Sequence, residues 1–541
     1  MPDVFTKHAE PRQSEPARPG QVKNNAGGYT FSVADETRLN RFLTIGTEGG
    51  TYYVDERKLT RDNAGVVARM AQAGNPALLR DAAAVSAAGR APSNDQALFA
   101  VAAAAGLGPL DTKAAAFSTA LPQVARTGMH MLHFVKYAEL HRGWGRLMVN
   151  GVRNWYLNQS VDDLAYQMLK YKSRDLWAQR DVLRLAMFKG TGRSQVPAEY
   201  LDLFAYIMKG TVTENLPSLV YAAALAHGTR DVKDWVRLIE GNRSLSWEML
   251  PSEALAHAQV WRALTEHGNL PAGALLRNLG RMTSLGAIKP LDIFTRTVCD
   301  VLTDPAVLKR ARIHPLAVLI AIKTYAAGHS LRGKSSWSPV HQVTDALNEM
   351  FYASFGYVEP AGKRTLIALD VSGSMSSPHF TPAHAKLYES TGLTPRDITA
   401  AMSMTVARTE PAWAITAFSH RIEQISVSPG QRLDDIIRAM DRVPMGGTDC
   451  SLPMLWAMQA KIPVDTFQVW TDNETWYGNV HPHRALEQYR QAMGIDARLQ
   501  VCAAVATQFS IADPLDPRQL DVSGFDSAVP ALLASHARGD V

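Results

Sequence analysis

The spacing of apolar positions along this chain changes once, near residue 360. From about residue 29 to that point, segments such as NAGVVARMAQAG, PALLRDAAAVSAAGR, VDDLAYQMLKYK, PSEALAHAQVWRALTEHG and HPLAVLIAIKTYAAG repeat apolar residues at helical intervals. Gly, Pro and Asn break these runs, which predicts amphipathic helices joined by short turns. Alternating polar and apolar positions are nearly absent there. A long series of such helices predicts an α-solenoid of stacked helical hairpins, although no internal sequence period repeats. Residues 1–28, rich in proline and charge and without apolar pattern, are expected to form a flexible N-terminal arm.

Beyond VEPAGKR (358–364) the pattern is different. Apolar runs TLIALDVS, AWAITAFS, TFQVWTD and RLQVCAAVA alternate with DITAAMSMTVART, LDDIIRAMDRV, LPMLWAMQAK and RALEQYRQAM. Fully apolar strands alternating with helices predict a doubly wound α/β domain with a parallel sheet covered on both faces. The boundaries are therefore a helical domain over 29–360 and an α/β domain over 361–541. Ligands of such sheets sit at the carboxyl ends of the strands.

Composition adds a partner class. The chain has 541 residues and a net charge of +5. Residues 361–541 hold 15 Lys and Arg against 19 Asp and Glu, which leaves 41 against 32, a net of +9, for residues 1–360. A positive surplus on the helical part points to a polyanion, with a solvated basic surface as the alternative. Three scattered cysteines exclude a disulfide framework or thiolate metal site. The N-terminus lacks a signal-peptide core, and the longest apolar run, 97–110, is interrupted by Gly106, Gly108 and Pro109 and is too short to span a bilayer. A cytoplasmic protein without a membrane partner is expected.

Candidate chemistry begins at LIALDVSGSMS (366–376), where an apolar run ends in Asp370 and Ser372 and Ser374 follow at alternate positions. One carboxylate and two hydroxyls on a turn suit a hard divalent cation, Mg²⁺ first, with Mn²⁺ or Ca²⁺ as substitutes. A short D-x-S-x-S match is weak by itself, since Asp and Ser are common in turns after strands. Two further segments strengthen it: Thr448 lies in the glycine-rich loop MGGTDCSLP, and Asp472 ends the run TFQVWTD. Asp449 and Glu474 sit beside these ligands, either tuning the site or serving as ordinary turn and cap acids, the latter reading being preferred. Residues 361–541 resemble a von Willebrand factor A domain, and Asp370, Ser372, Ser374, Thr448 and Asp472 match its metal-ion-dependent adhesion site. No second ion or general base accompanies them; His379, His384, His481 and His483 show no ligand spacing and are read mostly as surface histidines. A non-enzymatic protein is expected.

The helical part contains RFLTIGTEGGTYYVDE (41–56), HRGWGRLMVNGVRNWY (141–156), LKYKSRDLWAQRDVLRL (169–185), LSWEMLPSEAL (245–255), LLRNLGRM (275–282) and the join FGYVEPAGKRTLIALDVSGSM. In this order they strongly resemble the Ro 60 kDa autoantigen family, the TROVE-domain RNA-binding proteins, in a bacterial form. The resemblance implies a ring of HEAT-like helical repeats closed by the A domain. It further implies small noncoding Y RNA on the outer surface, single-stranded 3′ ends of misfolded RNAs in the central hole, and roles in RNA quality control, processing and stress survival with a 3′ exoribonuclease as partner.

Lys170, Tyr171, Lys172 and Arg174 match the family's basic segment for Y RNA. Lys170 and Arg174 are spaced i, i+4 and are expected to share one helix face. Met187 replaces the family's histidine in that region. Arg142, Arg146 and Arg153 interleave with Trp144, Trp155 and Tyr156, a pattern that suits base stacking, although aromatic residues at helical spacing are more often core. Arg277, Arg281, Lys309, Arg310 and Arg312 are weaker candidates for the hole. The rival class is a protein-interaction scaffold that docks partners through the metal site.

Overall fold

The structure, a computed structural model, describes residues 11–45, 56–188, 196–330, 335–356, 358–376 and 393–541. Residues 1–10 of the expected arm, 46–55 of the first family segment, Tyr357 of the join, and His379 and His384 lie outside the described residues.

Helices run in series from Asp35–Ile45 to His341–Ala353, as the apolar spacing predicts. Their starts are capped by short polar side chains: Thr127 accepts from the amide of His130, Ser160 from Asp163 and Asp231 from Lys233. Each such cap contributes about 1 kcal/mol. In Val161–Lys170 the buried residues are Leu164, Ala165, Met168 and Leu169, one stripe on one face. The helical body closes on itself. Arg312 Nη1 donates to the carbonyl of Ala87 at 2.8 Å, 225 positions away, and Arg126 grips the neighbouring Ser86 carbonyl at the same helix end.

The strands, labelled in chain order, are β1 (Gln21–Lys23), β2 (Tyr29–Ser32), β3 (Ser173–Arg174), β4 (Trp177–Ala178), β5 (Thr365–Asp370), β6 (Trp413–Phe418), β7 (Ile422–Ile425), β8 (Thr466–Thr471), β9 (Arg498–Ala503), β10 (Phe509–Ser510) and β11 (Gln519–Ser523). The main sheet has the order β11-β9-β8-β5-β6-β7, parallel except for β7 at one edge. All six residues of β5 and of β8 are buried, as strands covered on both faces require. Strand order reverses at β5, which lies between β6 and β8. The crevice at its carboxyl end is therefore the place where the topology itself opens a binding site.

The arm expected over 1–28 is corrected from residue 11 onward. β1 and β2 form an antiparallel hairpin, and β2 pairs with β10 of the α/β domain, so this segment is a docked strap. Both ends of the helical body also meet the α/β domain. Arg41, 1% exposed, donates to the carbonyls of Phe509 at 2.9 Å and Thr507 and pairs with Asp521. Arg90 pairs with Asp526 at 3.1 Å, and Lys323 with Asp397 at 2.8 Å.

Candidate metal centre and basic cavity

The five oxygen-bearing residues read from the sequence come from three places at the carboxyl end of the sheet. Asp370 ends β5 and is fully buried; its Oδ1 accepts from the amide of Ser372 at 2.8 Å and its Oδ2 from Thr471 Oγ1 at 2.6 Å. The hydroxyls of Ser372 and Ser374 lie 3.1 Å apart, and Ser374 is close enough to Asp472 to act on its carboxyl. Asp472 follows β8, and its Oδ1 accepts from the amide of Glu474 at 3.0 Å. Thr448 is brought beside them because its carbonyl accepts from the amides of Trp476 and Tyr477 at 3.0 and 3.1 Å, tying its loop to the one after Asp472.

Two buried oxygens here, Thr448 Oγ1 and Asp472 Oδ2, have no hydrogen-bond partner among the described residues. Burial pushes the Asp370 carboxyl up to about 7, with repulsion from Asp472 adding to it, and burial raises Asp472 as well. Among the described residues the field of Arg396 reaches Asp370, and Arg396 bonds the Met440 carbonyl and pairs with Asp441. Two interacting buried carboxylates and two unsatisfied oxygens are costly without a cation. The donor set fits a hard divalent ion: two acids, three hydroxyls and no sulfur or nitrogen. Among the described residues there is no cluster of three or more His, Cys, Asp or Glu placed to hold a metal, so the fit rests on this mixed set.

Asp449 and Glu474 do more than cap turns. Asp449 accepts from Ser451 and from Gln13 of the strap, and Glu474 accepts from Asn25 and the amide of Ala26. The surface expectation for His481 and His483 is wrong: both are buried. His481 Nε2 lies 2.8 Å from the carbonyl of Glu15, and His483 packs edge-on against Phe31.

A second feature lies inside the helical body. A cavity of about 1500 Å³ is lined by Arg126, Arg174, Arg277, Arg281, Arg312 and Trp337, among others. Trp337 stacks on Tyr325 with ring centroids 6.1 Å apart and covers Gly280, where a Cβ would come within 2.5 Å of the indole. Arg277, Arg281 and Arg312, the weaker candidates, thus come together, with Arg126 unforeseen. Sequence reasoning missed Arg126 because it sits alone in a loop whose apolar neighbours gave it no context.

The expectations for the basic segment need three corrections. Lys170 and Arg174 do not share a helix face: the helix ends at Lys170, and Arg174 lies in β3. The Lys170 side chain, 11% exposed, bonds Tyr166 Oη at 2.8 Å, lies 5.6 Å from the Tyr171 ring centroid and pairs with Glu248, so it is largely spoken for. Lys172 and Arg174 are both exposed, and Arg174 lines the cavity. Arg153 is buried and its Nε donates to the Ala186 carbonyl at 3.0 Å; Arg142 bonds the Ala105 carbonyl at 2.8 Å and lies over Phe117. Both arginines tie neighbouring helices together through these carbonyls. Arg146 is exposed at the start of the helix Arg146–Leu157. Trp155, Tyr156 and Met187 are core residues.

Burial holds the imidazoles of His130 and His314, both lining the cavity, down to about 4; His536 is likewise near 4 and His483 near 3. An unfolded histidine takes up its proton near pH 6.5. With folded values depressed, stability is complete above that pH and is lost as pH falls from about 6.5 towards 4. The thermal transition should drop across this window; a flat transition between pH 7 and 4.5 would contradict the buried neutral rings.

Comparison with known proteins follows the same division. The TROVE domain matches residues 22–218 and 239–406, and the Ro60 vWA domain matches residues 364–537. The chain is 40% identical over 533 residues to the RNA-binding protein RO60 of Deinococcus radiodurans, covering 98% of this chain and 97% of that one. It is 32% identical over 607 residues to the RNA-binding protein RO60 of Caenorhabditis elegans, covering 98% and 92%. The crystal structure of the Deinococcus radiodurans RO (RSR) protein superposes with a TM-score of 0.68 at 40% identity, over 94% of this chain and 100% of that one. A closed helical body joined to an α/β domain, with both signatures in order along the chain, makes this protein a member of the Ro60 family of TROVE-domain proteins.

Proposed function

We propose that this protein is a non-enzymatic RNA-binding protein of the cytoplasm. It holds a small noncoding Y RNA on the outside of the helical ring and takes single-stranded 3′ ends of misfolded or precursor RNAs into the cavity. The observation that carries this reading is the cavity itself, where five arginines and the indole of Trp337 meet in a space of about 1500 Å³. Arginines neutralise phosphates without reading sequence, and an aromatic face stacks any base. A confined space selects strandedness over sequence. The relatives' name, RNA-binding protein, supports the same class. Lys172 and Arg146 remain the exposed members of the outer basic surface. Participation in RNA quality control and stress survival, with a 3′ exoribonuclease as partner, extends the family resemblance to this chain.

Asp370, Ser372, Ser374, Thr448 and Asp472 would hold one Mg²⁺, with Mn²⁺ or Ca²⁺ as substitutes. When bound, the ion offers an open position to a carboxylate or phosphate oxygen of a partner. The unsatisfied oxygens of Thr448 and Asp472 favour a second use of the protein, as a scaffold that docks partners at this site. Affinity for an RNA with a single-stranded 3′ tail, measured across salt concentrations for the native protein and for Arg277→Ala/Arg281→Ala, tests the principal reading.

A further inference from the structure

We propose that Gln13 is a positioning residue of the cation site, and that strap docking and cation binding stabilise one another. This rests on the cation reading of that site. Two buried amides of the strap of residues 11–32, Gln13 and Asn24, bond the two loops that deliver Thr448 and Asp472. Gln13 is fully buried, and both its amide protons and its carbonyl oxygen are used. Its Nε2 donates to Asp449 Oδ1 at 2.8 Å and to the Val480 carbonyl at 2.7 Å, while its Oε1 accepts from Thr475 Oγ1. Asp449 is the neighbour of Thr448, and Thr475 Oγ1 reaches the Thr448 carbonyl at 3.3 Å. One glutamine thus joins the Thr448 loop to the loop that follows Asp472.

Further along the strap, Asn24 Nδ2 donates to the Thr475 carbonyl at 2.7 Å. Asn25 Nδ2 and the amide of Ala26 donate to the two oxygens of Glu474 at 2.8 and 3.0 Å. Glu474 in turn donates its own amide to Asp472. Gly28 packs so closely that a Cβ would stand 1.9 Å from the Thr475 carbonyl oxygen. Apart from the β2–β10 pairing and the Arg18–Asp513 ion pair, the strap's bonds to the α/β domain fall on Asp449 and on residues 474–481, beside Thr448 and Asp472, which adhesion between domains alone does not require. Groups behind metal ligands fix ligand orientation, and their loss typically weakens metal binding about 10- to 100-fold. Coupling of this kind is reciprocal, so the ion must also hold the strap in place.

The test uses the full chain, with Mg²⁺ binding followed by calorimetry and Mn²⁺ binding by electron paramagnetic resonance. Gln13→Ala is expected to weaken both by about tenfold or more. Gly28→Ala should do the same through displacement of the strap. In the native chain, Mg²⁺ should slow hydrogen exchange at the amides of Gln13 and Tyr29, which bond Gly478 and Gln13 respectively. This readout also decides the question if Gln13→Ala fails to fold. Ion affinity unchanged in a folded Gln13→Ala variant, or exchange at these amides indifferent to Mg²⁺, would reduce the strap to structural packing and overturn the proposal. A native chain that takes up neither Mg²⁺ nor Mn²⁺ overturns the cation reading first and the proposal with it.

Discussion

Asp370→Asn is expected to abolish Mg²⁺ uptake while leaving RNA binding largely intact. The substitution keeps a carbonyl oxygen for the Ser372 amide but removes one of the two negative charges that meet at the carboxyl ends of β5 and β8. A hydroxyl-rich site with a single carboxylate is a poor cage for a strongly hydrated ion. The effect on the ion-free protein has the opposite sign. The folded Asp370 carboxyl titrates near 7, far above an unfolded aspartate, because burial and Asp472 penalise its charge. At this group the unfolded chain therefore holds fewer protons than the folded one between about pH 4 and 7, and the Asp370 contribution to ion-free stability falls as pH rises over that interval, against the opposite trend set by the buried histidines. At pH 8 the ion-free Asn variant should be at least as stable as the ion-free native protein. Mg²⁺ should raise the transition of the native protein only. An Asn variant that still gains stability from Mg²⁺ would remove Asp370 from the site.

Arg41→Met should be the most damaging single change away from the two sites. Its guanidinium is 1% exposed and bridges the first described helix to the carbonyls of Thr507 and Phe509 and to Asp521. Truncation leaves the acid and two acceptors facing an apolar side chain. Breaking a buried ion pair in this way costs roughly 3 kcal/mol or more, the lower figure suiting Asp521, which keeps some solvent. Denaturant unfolding should then separate into two transitions, one for the helical body and one for the α/β domain. A single transition at the native midpoint would show that the strap and the contacts of Arg90 and Lys323 carry the interface.

The legible parts of this protein are those encoded locally. A run of apolar residues ending in an acid marks β5 and β8, so Asp370 and Asp472 were placed at strand ends, and the glycine-rich loop placed Thr448. Helical periodicity marked the body for the same reason. The strap was illegible because it docks through backbone groups and the amides of Gln13, Asn24 and Asn25, and no apolar pattern announces such an attachment. The i, i+4 reading of Lys170 and Arg174 failed because the helix stops at Lys170. Residues 173–178 then turn back as a hairpin through Asp175 and Leu176, both at positive φ, with no glycine to signal the turn. Arg153 and Arg142 show the limit of counting charges, since each long side chain reaches a buried carbonyl. The cavity was legible only in part: Arg277, Arg281 and Arg312 were candidates for a hole, but Arg126 and Arg174 were not, because the lining arginines come from a loop, a short strand and helix segments spread between residues 126 and 312.

The most direct measurement of the central claim is the salt dependence of binding to an RNA with a single-stranded 3′ tail, compared between the native protein and Arg277→Ala/Arg281→Ala. Every phosphate left without its arginine should reduce the slope of log affinity against log salt by about 0.7 for a single strand. A steep slope for the native protein, flattened by between one and two such steps in the double variant, is the predicted result. A native affinity that does not change with salt, or a double variant with the native slope, would contradict RNA binding in the cavity.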